Sequence, residues 1–361
     1  MARVYLPTVF SAAWLTAAVF AQSPQAVVLV TLDGARVEEV FGGLDREILR
    51  SQLNERQRVE DQPVYQRFWA DTPEARRQKL MPFFWGTLMR EHGSVAGNPA
   101  LGSRVHLSNG HWFSYPGYSE ILVGRAQDGT IKSNDPVRNP YPSVLEFLKT
   151  HAGLSKQQVA VFASWSVFSA IVEHTEGALT VNAGYQTFES RSDEVRRQSE
   201  LQFETPTPWD SVRHDAYTVR FALDHLARHR PRVLYLALGE TDDWAHDGRY
   251  DRVLETFSRT DDYLKQLWTW LQSQPEYRGR THLLITTDHG RGRTTKDWKD
   301  HGKDVVGASE TWMAFVSPAM TRRGEWSNHS PISAGQAAAT LIKWMGGDWK
   351  AFDPNAAPPV H

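Results

Sequence analysis

The sequence contains no cysteine in its 361 residues. This absence excludes a disulfide framework and any metal site built from thiolates, so a bound metal ion would have to be held by histidine and carboxylate side chains. An excess of charge is also absent, since 40 Lys and Arg stand against 42 Asp and Glu. Without a basic stripe or an acidic tail, the composition favours neither a nucleic-acid duplex as a partner nor a disordered chain.

One apolar run stands apart at the start of the chain. Arg3 precedes an apolar stretch from Val9 to Phe20, and Ala21 ends it before Gln22. These features predict a secretory signal peptide over residues 1–21. An uncleaved membrane anchor is the alternative, but the run is shorter than the ~20 apolar residues that a membrane span needs. We therefore expect a secreted or periplasmic bacterial protein with no stable membrane insertion after signal cleavage; the oligomeric state stays open.

The remaining chain is large enough to bury a substantial core, with 40% hydrophobic residues, and we expect residues 22–361 to form one catalytic domain. Short β-branched runs alternate with longer helical patterns, which predicts an α/β fold with a mostly parallel central sheet and helices on both faces. The predicted strands are 26–32, 104–107, 159–163, 233–238, 282–287 and 312–317. The predicted helices are 73–91, 117–124, 141–150, 211–230, 249–272 and 333–345.

Two segments interrupt this alternation. Residues 45–98 are charged and helix-rich, and residues 175–209 are polar with little periodicity. Each is either a lid inserted over a site or a peripheral layer and surface loop. No internal repeat or low-complexity tract accompanies them.

Metal-binding side chains recur in several short stretches of the sequence. Asp242 and His246 are four residues apart, so a helical turn would direct both to one ion. Asp288 and His289 follow an apolar strand and precede a glycine, where the turning backbone lets neighbouring side chains converge. Each pair alone is better explained as a hydrogen-bonded or capping pair than as a metal site. With Asp33 and His301 added, the ligands suffice for two divalent ions, each with a position left for substrate or water.

Ser114 is the candidate nucleophile. A serine hydroxyl needs a general base or a metal ion to be deprotonated near neutral pH. No GxSxG elbow surrounds it, so a hydrolase triad is not favoured and metal activation remains. The alternative is that Ser114 only caps the helix that follows.

Taken together, these stretches resemble the alkaline phosphatase superfamily, most closely its nucleotide pyrophosphatase/phosphodiesterase and related metallophosphatase branch. The resemblance is carried, in order along nearly the whole mature chain, by Asp33, Ser114-x-Pro116, Gly124, Asn134, Asp242-xxx-His246, Asp288-His289 and His301-Gly302. It implies a three-layer sandwich and two zinc ions. It also implies phosphoric ester hydrolysis through a phosphoserine, on a small phosphodiester, pyrophosphate or phosphomonoester substrate.

The resemblance also implies a role for each residue. Asp242, His246 and His301 match the ligands of one zinc ion. Asp33, Asp288 and His289 match those of the second, which Ser114 also binds. Asn134 matches the asparagine that hydrogen-bonds a phosphate oxygen, although its spacing from Ser114 is one residue short. A phosphate-clamping cation is not identified, but Arg125 and Lys132 are close in sequence.

The sequence leaves further functions of the same superfamily open. A sulfatase would need an arginine where this chain has Tyr118, which disfavours that activity. A phosphoryl or phosphoethanolamine transferase, or a non-catalytic binding protein, would use the same set of residues. Several aromatic residues near the motifs are candidates either for a substrate wall or for the core: Trp112, Tyr115, Tyr118, Trp298 and Trp312.

Overall fold

The computed structural model describes Met1 and residues 26–360. Its strands are β1 (Ala26–Leu32), β2 (Gly93–Ala96), β3 (Val105–His106), β4 (Val159–Ala163), β5 (Thr180–Ala183), β6 (Val233–Leu238), β7 (Thr281–Thr286), β8 (Glu310–Thr311), β9 (Met313–Val316), β10 (Gly324–Glu325) and β11 (Ile332–Ser333). All six predicted strands agree with these bounds to within one residue at each end.

The α-helices are α1 (Val37–Gly42), α2 (Arg46–Ser51), α3 (Pro63–Phe68), α4 (Pro73–Leu80), α5 (Ser114–Val123), α6 (Val144–His151), α7 (Phe168–Ile171), α8 (Asp193–Glu204), α9 (Asp215–His229), α10 (Glu240–His246), α11 (Tyr250–Ser273), α12 (Gln336–Trp344) and α13 (Trp349–Phe352). A π-helix covers Phe84–His92, and short 3-10 helices cover Val59–Asp61, Pro99–Leu101 and Lys156–Gln158. The single helix predicted over 73–91 is thus two helices. Pro82 lies between them, where its ring and missing N–H disfavour a continuous helix.

Eight strands of the described range form the main sheet, in the order β10-β2-β9-β7-β1-β6-β4-β5. Every neighbouring pair is parallel except the two that involve β9, which runs antiparallel to β7 and β2. The remaining strands form a small sheet in the order β11-β3-β8, which takes up the strand predicted at 104–107. The predicted mostly parallel sheet is confirmed, and the strand at 104–107 belongs to a separate sheet.

Helices cover both faces of the main sheet. The side chains of β1 alternate between two hydrophobic clusters: Val28, Val30 and Leu32 belong to one, and Val27 and Leu29 to the other. The first cluster includes residues of α9 and α11, and the second includes residues of α5, α6 and α12. Strands buried on both faces require a nearly continuous apolar sequence, which explains why these runs were recognisable.

The two interrupting segments both contribute to the main sheet. Residues 45–98 end in β2, which pairs with β9, and residues 175–209 include β5, the edge strand beside β4. The second segment also contains α8, which packs on α9. These strands were missed because they are only four residues long. A lid role for the rest of either segment stays a prediction.

The predicted signal peptide lies, apart from Met1, outside the described residues. Within the described part of the chain, no helix combines the length and the apolar character needed to cross a membrane.

Candidate metal centre

Three adjacent strands bring the predicted ligands to one edge of the main sheet. β7, β1 and β6 lie side by side and run parallel, so their carboxyl ends meet at the same edge. Asp33 follows β1 directly, α10 begins two residues after β6, and Asp288 comes two residues after β7. This is the edge at which open α/β sheets bind ligands.

The first predicted ligand set is Asp242, His246 and His301. One turn of α10 brings Asp242 Oδ2 to 3.0 Å from His246 Nε2. The loop after β7 then places His301 Nε2 3.0 Å from His246 Nε2. The side chain of His246 is 45% exposed, so this set faces solvent.

The second predicted set lies deeper and includes the serine. His289 Nε2 lies 3.3 Å from Asp33 Oδ1 and 3.4 Å from Asp288 Oδ2. Ser114 Oγ lies 3.4 Å from the same nitrogen. All four side chains are buried. The structure therefore brings together the four residues that the resemblance assigns to one metal ion.

Asp242 connects the two sets. Its Oδ2 faces His246, whereas its Oδ1 lies 3.7 Å from His289 Nε2. Two groups of side chains are close enough to hold an ion, namely Asp242 with His246 and His301, and Asp33 with Asp242 and His289. The resemblance gave Asp242 to the first ion alone, but the geometry places it between both positions.

The protonation of His289 leaves a lone pair available to a cation in this cluster. His289 Nδ1 donates to the Gly290 carbonyl at 2.9 Å, because a carbonyl can only accept. Burial lowers the pKa of His289 to about 4, so the ring is neutral and Nε2 carries a lone pair. That lone pair faces oxygens of Asp33, Asp242 and Asp288, which also carry lone pairs. A divalent ion among these atoms would turn mutual repulsion into coordination.

The pKa values of the three buried carboxylates are shifted by their burial and by one another's charges. Burial and then the charge of Asp242 raise the pKa of Asp33 well above its usual range. Burial, followed by the charges of Asp33 and Asp242, does the same for the pKa of Asp288. Burial alone would also raise the pKa of Asp242, but the Arg291 guanidinium and the hydrogen bond with His246 bring it well below the usual value.

Unpartnered polar atoms support the fit of a metal ion. Asp33 Oδ1, Asp288 Oδ2 and His301 Nδ1 are buried and have no hydrogen-bond partner among the described residues. Buried polar atoms are rarely left without a partner. The first two point at His289 Nε2, where an ion would satisfy them. Nitrogen and oxygen donors without thiolates suit Zn²⁺ and other divalent ions.

Ser114 is the first residue of α5, and a close approach holds that helix against the metal ligands. A Cβ added to Gly117 would lie 2.1 Å from the Asp288 carbonyl oxygen, so only glycine allows this packing. Asn134 Oδ1 accepts a hydrogen bond from the Tyr115 backbone N–H at 2.9 Å. Asn134 is thereby placed beside the serine, and its exposed side-chain NH₂ can donate to an anion.

The loop before Ser114 depends on the buried carboxylate of Glu120. Glu120 accepts hydrogen bonds from the backbone N–H groups of Ser108 and Asn109, from both of their side chains and from Gly335 N–H. Asn109 Oδ1 in turn accepts from the backbone of Trp112, which has a φ of 55°. A bulky residue in the left-handed region is strained and persists only where its surroundings hold it.

Two residues of the site were not identified from the sequence. Arg291 is buried, pairs with Asp242 Oδ1 and donates to the Asp242 carbonyl at 2.9 Å. Tyr118, considered only as a departure from sulfatases and as a candidate aromatic, donates to Asp33 Oδ2 at 3.0 Å. Arg291 directly follows Asp288-His289-Gly290, and that proximity was the available signal.

The cations suggested near Ser114 lie elsewhere. Arg125 pairs with Asp353 at 2.6 Å, and Lys132 is exposed. Neither contacts the metal ligands among the described residues. Among the five aromatic candidates, Trp112 is half-buried. The other four are buried in the core, namely Tyr115, Tyr118, Trp298 and Trp312. A substrate wall built from those four is therefore excluded.

Solved structures with this fold are enzymes of known types. No family model and no curated protein matches the sequence itself. The alkaline phosphatase PafA is 9% identical, with a TM-score of 0.58 over 94% of this chain and 98% of that one. The lipoteichoic acid synthase LtaP from Listeria monocytogenes is 9% identical, with a TM-score of 0.54 over 91% and 73%. The phosphonate monoester hydrolase SpPMH from Silicibacter pomeroyi is 12% identical, with a TM-score of 0.52 over 94% and 78%.

This chain has the alkaline phosphatase superfamily fold. The match to PafA covers nearly all of both chains, so the superfamily fold accounts for the described structure as one unit. Identities of 9 to 12% establish the fold alone. Assignment to the nucleotide pyrophosphatase/phosphodiesterase branch of the superfamily stays a prediction.

Proposed function

We propose that the protein is a two-metal phosphoric ester hydrolase in which Ser114 is the nucleophile. The observation that carries the proposal is the position of Ser114 Oγ, 3.4 Å from His289 Nε2 and within the cluster that holds the unpartnered oxygens of Asp33 and Asp288. An ion coordinated by those atoms would also contact the serine hydroxyl. The superfamily fold and the N/O donor set support the same function, with Zn²⁺ as the expected ion.

Two ligand positions joined by Asp242 suit an in-line displacement at phosphorus. Bound divalent ions would lower the pKa of the Ser114 hydroxyl and neutralise charge on the phosphoryl and leaving-group oxygens. Ser114 Oγ then attacks phosphorus and the alcohol or phosphate leaving group departs, which leaves a phosphoserine. Water hydrolyses that ester and restores the serine, with overall retention at phosphorus.

The protein groups around Ser114 stabilise the charge on the phosphoryl group. Asn134 Oδ1 accepts from the backbone N–H of Tyr115, the residue after the serine, and the exposed side-chain NH₂ of Asn134 remains available as a donor. It would bind a non-bridging phosphate oxygen. The exposed side of His246 leaves room for the leaving group. The proposed substrate is therefore a small phosphate ester, and the proposed site of action is outside the cytoplasm.

Activity and metal content of one purified preparation test the proposal. We expect two bound divalent ions per chain and turnover of p-nitrophenyl phosphate or bis-p-nitrophenyl phosphate. Ser114→Ala should lower kcat about a thousandfold, because the nucleophile is lost. The matched control is Ser119→Ala, which removes a buried hydroxyl from the same helix that contacts Asn139 rather than a metal ligand.

The same assay distinguishes the competing functions. A sulfatase would turn over p-nitrophenyl sulfate in preference to both phosphate esters. A phosphoryl or phosphoethanolamine transferase would pass the group to an added alcohol or lipid acceptor instead of water, which product analysis detects. A wild-type protein without metal, or a Ser114→Ala protein as active as the wild type, would exclude the proposed mechanism.

A further inference from the structure

A second group of buried charged side chains lies beside the metal centre, at the same edge of the main sheet. β4 and β6 are neighbouring parallel strands, so their carboxyl ends meet at the edge where Asp242 lies. Ser164 directly follows β4, and Glu240 is the first residue of α10, two residues after β6. Asp215 is the first residue of α9. Asp215 and Glu240 are 1% and 3% exposed, so the fold buries two carboxyl groups here.

These two carboxyl groups cap each other's helices. Asp215 accepts hydrogen bonds from two backbone N–H groups at the start of α10, that of Gly239 at 2.9 Å and that of Glu240 at 3.3 Å. Glu240 in turn accepts from the Asp215 N–H at the start of α9, at 3.2 Å. The first N–H groups of a helix have no partner within the helix. Each helix therefore begins on a side chain that the other supplies, which fixes α10 relative to α9.

Further contacts hold both carboxyl groups in place. Ser164 Oγ donates to Asp215 Oδ1 at 2.6 Å. Glu240 Oε1 accepts from His214 Nδ1 at 2.7 Å, and its Oε2 accepts from the Arg259 guanidinium at 2.9 Å. Burial alone would raise the pKa of Glu240, but the hydrogen bond from His214 and the charge of Arg259 lower it below its usual value. Removing one partner from such a buried group is costly, so the arrangement resists displacement.

The helix held in this way carries two candidate metal ligands. Asp242 and His246 both lie on α10. The outer ion position, made of Asp242, His246 and His301, thus takes two of its three side chains from this helix. The inner ion position takes only Asp242 from it, together with Asp33 and His289. A shift of α10 would therefore disturb the outer position more than the inner one.

We propose that Asp215 is a positioning residue for the metal centre. By capping α10, it holds Asp242 and His246 in the orientation that the outer ion requires. The inference rests on the two-metal centre of the proposed function. Loss of an outer-sphere partner typically lowers metal affinity about ten- to a hundredfold, and Asp215, which acts through the helix, belongs at the lower end of that range.

The stepwise zinc affinity of the full chain tests the proposal. Metal-free protein is titrated with Zn²⁺ against a chromophoric chelator at about pH 8.5, which favours the ionised form of each carboxyl group. We expect two binding steps in the wild type, and His246→Ala identifies the outer one because it removes a ligand of that position alone. Asp215→Asn keeps the shape but replaces an accepting oxygen by NH₂. The outer step should weaken about tenfold and the inner step less than about threefold.

Asp261→Asn is the matched control. Asp261 is also buried, at 2% exposure, and its two oxygens accept the backbone N–H groups of Phe83 and Phe84 at the start of the π-helix. Burial raises the pKa of both carboxyl groups, that of Asp215 and that of Asp261. The π-helix carries none of the candidate ligands. The control should therefore lower the urea midpoint as Asp215→Asn does, yet leave both zinc steps at their wild-type affinities.

A milder variant decides the matter if Asp215→Asn does not fold. Ser164→Ala removes only the hydroxyl that donates to Asp215 and should weaken the outer step about threefold, with the inner step unchanged. Excess Zn²⁺ should restore the turnover of p-nitrophenyl phosphate by either variant, because the defect is one of affinity for the outer ion.

Selective weakening of the outer step in these variants would establish the positioning role. Equal weakening of both steps, or an outer step that Asp261→Asn weakens as much, would assign Asp215 to stability alone and overturn the proposal. So would a wild-type outer step in Ser164→Ala when Asp215→Asn is unchanged or unfolded. A wild type that binds two zinc ions but hydrolyses no phosphate ester would overturn only the proposed function. A wild type that binds fewer than two would overturn both.

Discussion

The guanidinium of Arg291 lies against the same Asp242 oxygen that faces His289. Asp242 is the carboxylate shared by both candidate ion positions, so Arg291 sets both its charge and its orientation. Arg291 belongs to the loop after β7 and Asp242 to α10, so their contact also joins that loop to the helix. This contact stabilises the ligands before any ion is bound.

Replacing Arg291 should therefore destabilise the metal-free protein most. Arg291→Met keeps much of the volume but leaves the buried Asp242 without its cation, and we expect the free energy of unfolding to fall by about 3 kcal/mol. Urea denaturation with and without Zn²⁺ measures this, and bound metal should reduce the difference. Arg293→Met is the control, since the side chain of Arg293 is 40% exposed and surface pairs contribute roughly 0–1 kcal/mol. Equal losses in both variants would contradict this role.

Because Gly34 has no side chain, the side chains of Asp242 and Arg291 can pack against its backbone. Its φ is 56°, and an added Cβ would lie 2.2 Å from Asp242 Oδ1 and 2.8 Å from Arg291 Nε. Gly34→Ala should abolish stoichiometric metal binding because Asp242 must move. Gly153→Ala is matched in backbone strain, with a φ of 61°, but has no atom within 4 Å of the added Cβ. Metal analysis after dialysis should show loss only for Gly34→Ala; wild-type metal content in that variant would contradict the expected clash.

Tyr118 holds the carboxylate of Asp33, a candidate metal ligand, in place. Tyr118→Phe removes the hydrogen bond to Asp33 Oδ2, and we expect Zn²⁺ affinity to fall about tenfold, as it does when outer-sphere partners of metal ligands are lost. Competition with a chromophoric chelator measures the affinity. Tyr235→Phe removes another buried phenol hydroxyl, which contacts Thr31 at 3.0 Å, and should leave the affinity unchanged. A similar effect of both variants would indicate a general loss of stability.

His225 should contribute to acid sensitivity. It is buried, its Nε2 donates to the Gln157 carbonyl at 2.9 Å, and burial lowers its pKa to about 4. Between pH 6.5 and 4 the unfolded chain binds a proton at this residue that the folded chain does not. Stability contributed by the neutral ring is thus present above pH 6.5 and is lost as the pH falls towards 4.

The variant His225→Gln keeps a donor to Gln157 but cannot titrate. Its free energy of unfolding should fall less steeply with decreasing pH, by up to about 1.4 kcal/mol per pH unit over this window. Urea denaturation at several pH values measures the slope. His174→Gln replaces an exposed histidine and should retain the wild-type slope. An unchanged slope in His225→Gln would show that the buried ring does not govern acid sensitivity.

Much of the fold followed from local patterns. β1, β4 and β6 lie where their apolar runs predict them, because strands buried on both faces need uninterrupted apolar residues. The short strands β2 and β5 were missed, since four residues carry too little pattern and their place depends on pairing with β9 and β4. The break at Pro82 was a local signal that the prediction of one helix overlooked.

The sequence by itself determined which side chains are candidate metal ligands and which serine is the candidate nucleophile, because ligand chemistry resides in residue types and their local spacing. It also determined the parallel sheet whose strand ends bring Asp33, Asp242 and Asp288 together. Only the tertiary structure decided that Asp242 lies between both positions and that Arg291 and Tyr118 hold the carboxylates. These are contacts between residues far apart in the chain, and their distances arise from packing rather than from local pattern.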